Sequence, residues 1–219
     1  MKYPSRVQKA IDEMIMSGYF LTEQQQYILK EPDEQGYSEL TVSVNGRNLC
    51  IENYDKKLKC EFVIKDTKYG MTMCVDHVLF VMDSEEHWKV YLIEMKSGMG
   101  KRTFLDVKKK VRANYFSIKA LCAYLGIELS DKDIEVYVTY SSNSSNITPN
   151  ETPNPATLKA MTGQRYTGDV MQLEWNKNRI ELKNPEKHEF VLHKVGMQKV
   201  PSPNSPSGQA LVNSISITV

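Results

Sequence analysis

The period of the apolar residues changes abruptly in the middle of the chain, and this change constrains the fold more than any other feature. Residues 88–96, Trp-Lys-Val-Tyr-Leu-Ile-Glu-Met-Lys, read as a β-strand. After Ser97-Gly98-Met99-Gly100, Phe104, Val107, Val111, Tyr115, Ile118, Leu121, Cys122 and Leu125 recur at the spacing of one helical face, and Gly126 ends the run. Ile134, Val136 and Val138 then alternate with other residues at the two-residue period of a strand. A strand, a long helix and a second strand in succession predict an α/β core.

Upstream, Val7, Ala10, Ile11, Met14 and Ile15 fall at helical spacing behind Ser5 and Gln8, a capping-box pair, and predict a first amphipathic helix. Thr22 and Gln25 repeat the capping pattern and predict a short polar helix as far as Lys30. Leu40, Val42 and Val44 alternate before Asn45-Gly46, and Leu49 and Ile51 after it, which predicts a β-hairpin. Further strands are expected at 59–65 and 71–82, with turns at 66–70 and 83–87, so the centre reads as an antiparallel meander. The core is expected to span residues 1–140.

Residues 141–155 are crowded with Ser, Asn, Thr and Pro and read as an exposed loop or linker. The glycosylation-type triplets at Asn143, Asn146 and Asn150 follow from that composition. Beyond it, a helical piece at 156–161 and strands at 170–175, 179–182 and 190–195 predict a small β-rich appendage over 156–200. Residues 201–219 read as a mobile tail, with 211–219 a candidate further strand.

A length of 219 residues suits one domain with additions. No apolar run approaches the roughly 18 residues of a membrane span, and residues 1–20 lack the layout of a secretion signal. A soluble, cytoplasmic protein is expected. Cys50, Cys60, Cys74 and Cys122 form no close pair and have no His at zinc-ligand spacing, so reduced structural cysteines are expected. The formal net charge of +1 supplies no general attraction to phosphate, which must then come from local clusters.

Asp76 interrupts an apolar run, Met73-Cys-Val-Asp-His-Val-Leu-Phe. A carboxylate in such surroundings costs several kcal/mol unless a cation compensates it. Glu94 and Lys96, two residues apart on the next strand, project from one face near its end. If the two strands pair, Asp76 and Glu94 lie at roughly the 5 Å separation of cross-strand partners. Their repulsion is relieved by a proton or by a divalent ion, and such an oxygen site suits Mg²⁺ or Mn²⁺. Lys96 beside that ion is suited to orient or deprotonate a water, or to stabilise charge on a phosphate. The set fits hydrolysis of a phosphodiester.

On Asp76 and Glu94-Met95-Lys96 the chain resembles the PD-(D/E)XK nuclease superfamily, over roughly residues 5–140. The resemblance implies a restriction-endonuclease-like αβββαβ core, a mixed central sheet flanked by helices. It implies that Asp76 and Glu94 bind the metal with the Met95 carbonyl, and that Lys96 assists the nucleophilic water. It also implies an acidic residue from the first helix, for which Glu13 is the nearest candidate and Glu23 the alternative. Val75 stands where the pattern has Pro, and the following helix has Tyr115 but no Gln-x-x-x-Tyr, which argues against a RecB-like exonuclease subgroup.

Lys101, Arg102, Lys108, Lys109, Lys110 and Arg112 follow the motif directly, several on the polar side of the helix, and form a candidate track for a phosphate backbone. Residues 97–100 match no phosphate-cradling fingerprint and read as a flexible turn near the scissile bond. His77 is expected to be a packed histidine on the face opposite Asp76, and His87, His188 and His193 suggest no partner. The expectation is a metal-dependent nuclease acting on DNA by in-line attack of water. Two alternatives keep the same residues: a catalytically inactive nucleic-acid-binding module, or a protein-docking domain whose acidic set forms salt bridges and binds no metal. The expected partners are nucleic acid, most readily DNA, and a second copy or a larger assembly joined through the C-terminal appendage; no membrane partner is expected.

Overall fold

The change of period at residue 97 is realised as a strand, Trp88–Met95, followed by a long helix, Lys101–Leu125. That helix stops at Gly126, which adopts the left-handed conformation (φ 67°) open to glycine. The computed structural model describes residues 3–33, 36–56, 70–141, 167–182, 187–202, 207 and 209–218. In chain order the elements are α1 (Ser5–Met14), β1 (Gln26–Asp33), β2 (Gly36–Asn45), β3 (Arg47–Ile51), β4 (His77–Met82), β5 (Trp88–Met95), α2 (Lys101–Leu125), β6 (Ile134–Ser141), α3 (Thr167–Asn176), β7 (Arg179–Leu182), β8 (His188–Pro201) and β9 (Gln209–Thr218). The chain is mixed α/β, with a strand-rich, curled sheet and few helices. No helix among the described residues is long and apolar enough to cross a membrane.

β4 and β5 form the expected antiparallel pair, β3 pairs antiparallel with β4 directly where a strand at 59–65 is expected between them, and β6 runs parallel to β5 after the α2 crossover. β8 lies parallel to β6 along one edge; its other edge pairs first with β7 and then, over Gln198 to Pro201, with β9. β9 runs parallel to β2, and β1 closes that end. The curl gives the central strands two covered faces. On one, Val78, Phe80, Val90 and Leu92 meet Val107, Val111 and Ile118 of α2. On the other, Leu79, Val81, Ile93 and Met95 meet Tyr27, Leu29, Leu40 and Val42 of β1 and β2. Strands buried on both faces read as continuous apolar runs, and β4 is one.

Several expectations are corrected. Residues 26–33 are a strand and not a helix: Tyr27 and Leu29 are buried while Ile28 and Lys30 face outward, a period of two that overrides the capping pattern at Thr22. β2 and β3 do not form a hairpin; β2 pairs with β1 and β9, and β3 with β4. The strand expected over 71–82 begins only at His77. Residues 170–175 lie in α3, because Met171, Glu174 and Trp175 turn inward at helical spacing, with Trp175 edge-on to Phe104 at 5.5 Å. The segment expected as a mobile tail contains β9, in keeping with the candidate strand at 211–219; β9 is bracketed by β2 and β8, and β8 belongs to the same sheet as the meander. α1 forms as expected but follows Pro4 without a side-chain cap. The strand at 59–65, the loop at 142–155 and the helical piece at 156–161 lie outside the described residues.

Candidate functional site

Asp76 sits immediately before β4, one step beyond the His77–Ile93 pair of the β4–β5 hairpin, and therefore opposite Glu94. The chain reaches it across α2. Gly70, with φ 64°, passes so close that a Cβ there would stand 2.8 Å from the Cβ of Lys109. The Asp76 carbonyl then accepts the Tyr54 N–H at 2.8 Å, and its carboxylate accepts the Met95 N–H at 2.6 Å. Val78 and Phe80 of β4 and Val90 and Leu92 of β5 face α2, so the two-residue period turns Asp76, Glu94 and Lys96 to that same side.

The structure brings these three residues together with a fourth. Glu94 is fully buried (0% exposed); its Oε1 lies 2.5 Å from Lys96 Nζ and 2.7 Å from Lys110 Nζ. The Lys110 ammonium, donated by α2, is also 3.4 Å from Asp76 Oδ1. Lys96 donates to the Met95 carbonyl at 3.1 Å, and its own N–H bonds Thr139 of β6. Glu94 Oε2 is buried without a hydrogen-bond partner. Burial first and Asp76 second push the Glu94 carboxyl up to about 7, against the pull of Lys110 and Lys96. Burial lowers the proton affinity of Lys110, but Glu94 and Asp76 more than offset it, so the net shift is upward and the ammonium stays charged.

Glu13 does not join this group: it is 63% exposed, and its ion pair is with Lys9. Glu23 lines a hollow with Met82 and Asp83, at the end of β4 remote from Asp76. Glu31 of β1, which the sequence did not single out, feels the charge of this group through space. It follows Tyr27 and Leu29 on the inward face of β1, and its carboxyl is raised by burial first and then by Asp76 and Asp55, with Lys96 pulling the other way. The same alternation that reveals β1 would have singled it out. Near the end of β5 a hollow of about 300 Å³ opens, lined by Ser97, Gly98, Ser141, Ser38 and Lys199.

The basic track is divided. Lys108 is tied to Glu174 of α3 through both carboxylate oxygens, at 2.7 and 2.6 Å, and Lys109 to Asp106 at 3.3 Å. Arg102 is exposed, Arg112 is half-buried, and Lys101 opens α2 with its side chain outside what is described. His77 is packed as expected: it accepts the Asn53 N–H at 3.3 Å, and burial lowers its ring to about 4. The other histidines do have partners: His87 with Asp133 at 3.0 Å, His188 with Asp131 at 2.6 Å and His193 with Glu135 at 2.6 Å. Cys50, Cys74 and Cys122 form no disulfide among the described residues.

Among the described residues no three His, Cys, Asp or Glu side chains cluster as a ready metal cage. Two carboxylates with one open oxygen still suit Mg²⁺, which commonly takes one or two carboxylates and keeps its remaining waters. The residues in place to hold it are Asp76, Glu94 and the Met95 carbonyl. Comparison of the chain with protein-family models, curated proteins and solved structures found no match.

Proposed function

We propose that the chain is a divalent-metal-dependent nuclease of the PD-(D/E)XK type that hydrolyses phosphodiester bonds, most readily in DNA, with α1, β3, β4, β5, α2 and β6 as its restriction-endonuclease-like core. One observation carries this reading: two carboxylates buried at adjoining strand ends, one with an unpartnered oxygen, beside a lysine at the rim. Leaving a buried carboxylate oxygen unpaired costs about 1–3 kcal/mol or more, a cost that a bound cation removes. The order of those six elements and the β5–α2–β6 crossover support the same reading.

When bound, the metal ion supplies charge neutralisation and a water of lowered pKa. Asp76, held by the Met95 N–H, and Glu94, held rigid in β5, fix its position. Lys96 is 28% exposed and so reaches both Glu94 and solvent. Its ammonium orients the attacking water and stabilises the charge that builds on the phosphate oxygens. The water oxygen adds to phosphorus while the bond to the leaving sugar oxygen breaks; the proton lost by the water is balanced by one taken up by that oxygen.

The test is to incubate wild type and Lys96→Ala with plasmid, linear duplex, single-stranded DNA and RNA, each with Mg²⁺, Mn²⁺ or EDTA. Metal-dependent cleavage that falls about 100-fold or more in the variant is expected. Neither cleavage nor Mn²⁺ binding would favour the second reading, an ion-pair network inside a binding or docking module. The neutral balance of Asp76 and Glu94 against Lys96 and Lys110 lends that reading its support.

A further inference from the structure

Lys110 is the one residue of the cluster supplied by a helix, and it touches both carboxylates, at 2.7 Å from Glu94 and 3.4 Å from Asp76. Of the two carboxylates, Lys96 pairs with Glu94. The four charges sum to zero without any added ion, so a divalent cation entering between the carboxylates meets an ammonium already there. Two cations at contact distance repel in a partly buried site. The stem of Lys110 is long and flexible while its backbone is pinned, since Asn114 Nδ2 holds the Lys110 carbonyl at 2.6 Å. The side chain is therefore the part free to withdraw.

We infer that Lys110 is the resident cation of this site: in the metal-free protein its ammonium takes the place between Asp76 and Glu94, and a divalent ion binds only by displacing it. Given the nuclease reading on which this rests, metal affinity is set by competition between two cations for one pair of carboxylates. The displaced ammonium is then free for a phosphate oxygen of the substrate. Nucleic acid and metal consequently bind cooperatively, each favouring the state in which Lys110 has left the carboxylates.

The experiment is a calorimetric Mn²⁺ titration of wild type, Lys110→Met and Lys110→Gln without nucleic acid, with thermal melting to confirm that each is folded. Lys110→Met is expected to bind Mn²⁺ about tenfold or more tighter than wild type, a gain in the range of close charge-pair couplings. Lys110→Gln, of similar reach but uncharged, should show the same direction and stands in if the Met variant does not fold. In wild type, the Lys110 Nζ resonance should move toward that of solvent-exposed lysines as Mg²⁺ is added. Equal or weaker Mn²⁺ affinity in folded variants, with wild type binding, would overturn the role of Lys110 and leave the nuclease reading standing. Absence of binding in all three proteins would overturn both.

Discussion

Lys108 and Lys110 stand two residues apart on α2, and both reach buried carboxylates, yet they make opposite kinds of site. Lys108 meets Glu174, which is 1% exposed; both of that carboxylate's oxygens accept from the ammonium, and Oε2 also accepts the Glu181 N–H at 3.5 Å. The pair is saturated, and it rivets α3 to α2. Lys110 is shared between two carboxylates that repel each other, and Glu94 keeps one oxygen without a partner. A satisfied buried pair has no use for a further ligand; an unsatisfied, crowded one has both the open oxygen and the repulsion between neighbouring carboxylates that a divalent ion relieves.

The difference can be broken at its structural end first. Glu174→Ala strands the Lys108 ammonium beneath α3, and the unfolding free energy in urea is expected to fall by about 3–5 kcal/mol. Lys110→Met should cost less, about 1–3 kcal/mol, because Lys96 still pairs with Glu94 and the Met95 N–H with Asp76. The two variants then separate on adding metal. Mg²⁺ at 100 times the Kd of Lys110→Met should return about 2.7 kcal/mol to that variant but only about 1.4 kcal/mol to Glu174→Ala, which keeps Lys110 between the carboxylates and so binds about tenfold more weakly. Equal responses in the two would erase the distinction between rivet and site.

The smallest effect belongs to a third carboxylate, the partly exposed Asp131 ahead of β6, at the other end of the β5–β6 pair from Glu94. Burial raises its proton affinity, but hydrogen bonds from His188 and Tyr115 more than offset this and hold the carboxyl below its usual value. A depressed carboxyl stabilises the fold above its unfolded pKa, and that contribution is lost as pH falls through the folded value. The stability gap between wild type and Asp131→Asn should therefore be largest near neutrality and shrink below about pH 4, within the ~0.2–1 kcal/mol of a partly exposed pair.

The sequence made the site easier to read than the sheet around it. Asp76, Glu94 and Lys96 were legible because a charge in an apolar run is anomalous and the β4–β5 hairpin is local. Lys110 was not singled out, since Lys108, Lys109 and Lys110 are identical in sequence and only the seating of α2 on the sheet decides which one meets the carboxylates. Glu31 was missed with its strand: β1 has only Tyr27 and Leu29 to mark its period, and its burial comes from a sheet curl made by distant partners. β9 depends on a parallel pairing with β2 across most of the chain length, a contact that no local pattern encodes.

The central claim is that Asp76 and Glu94 hold the divalent ion on which phosphodiester hydrolysis depends, and it is tested most directly by following supercoiled plasmid against Mg²⁺ concentration with wild type and Glu94→Gln. Nicked and linear product should rise with Mg²⁺ for wild type, vanish with EDTA and be absent for Glu94→Gln. No product at any Mg²⁺ or Mn²⁺ concentration, or equal product from the two proteins, would contradict it.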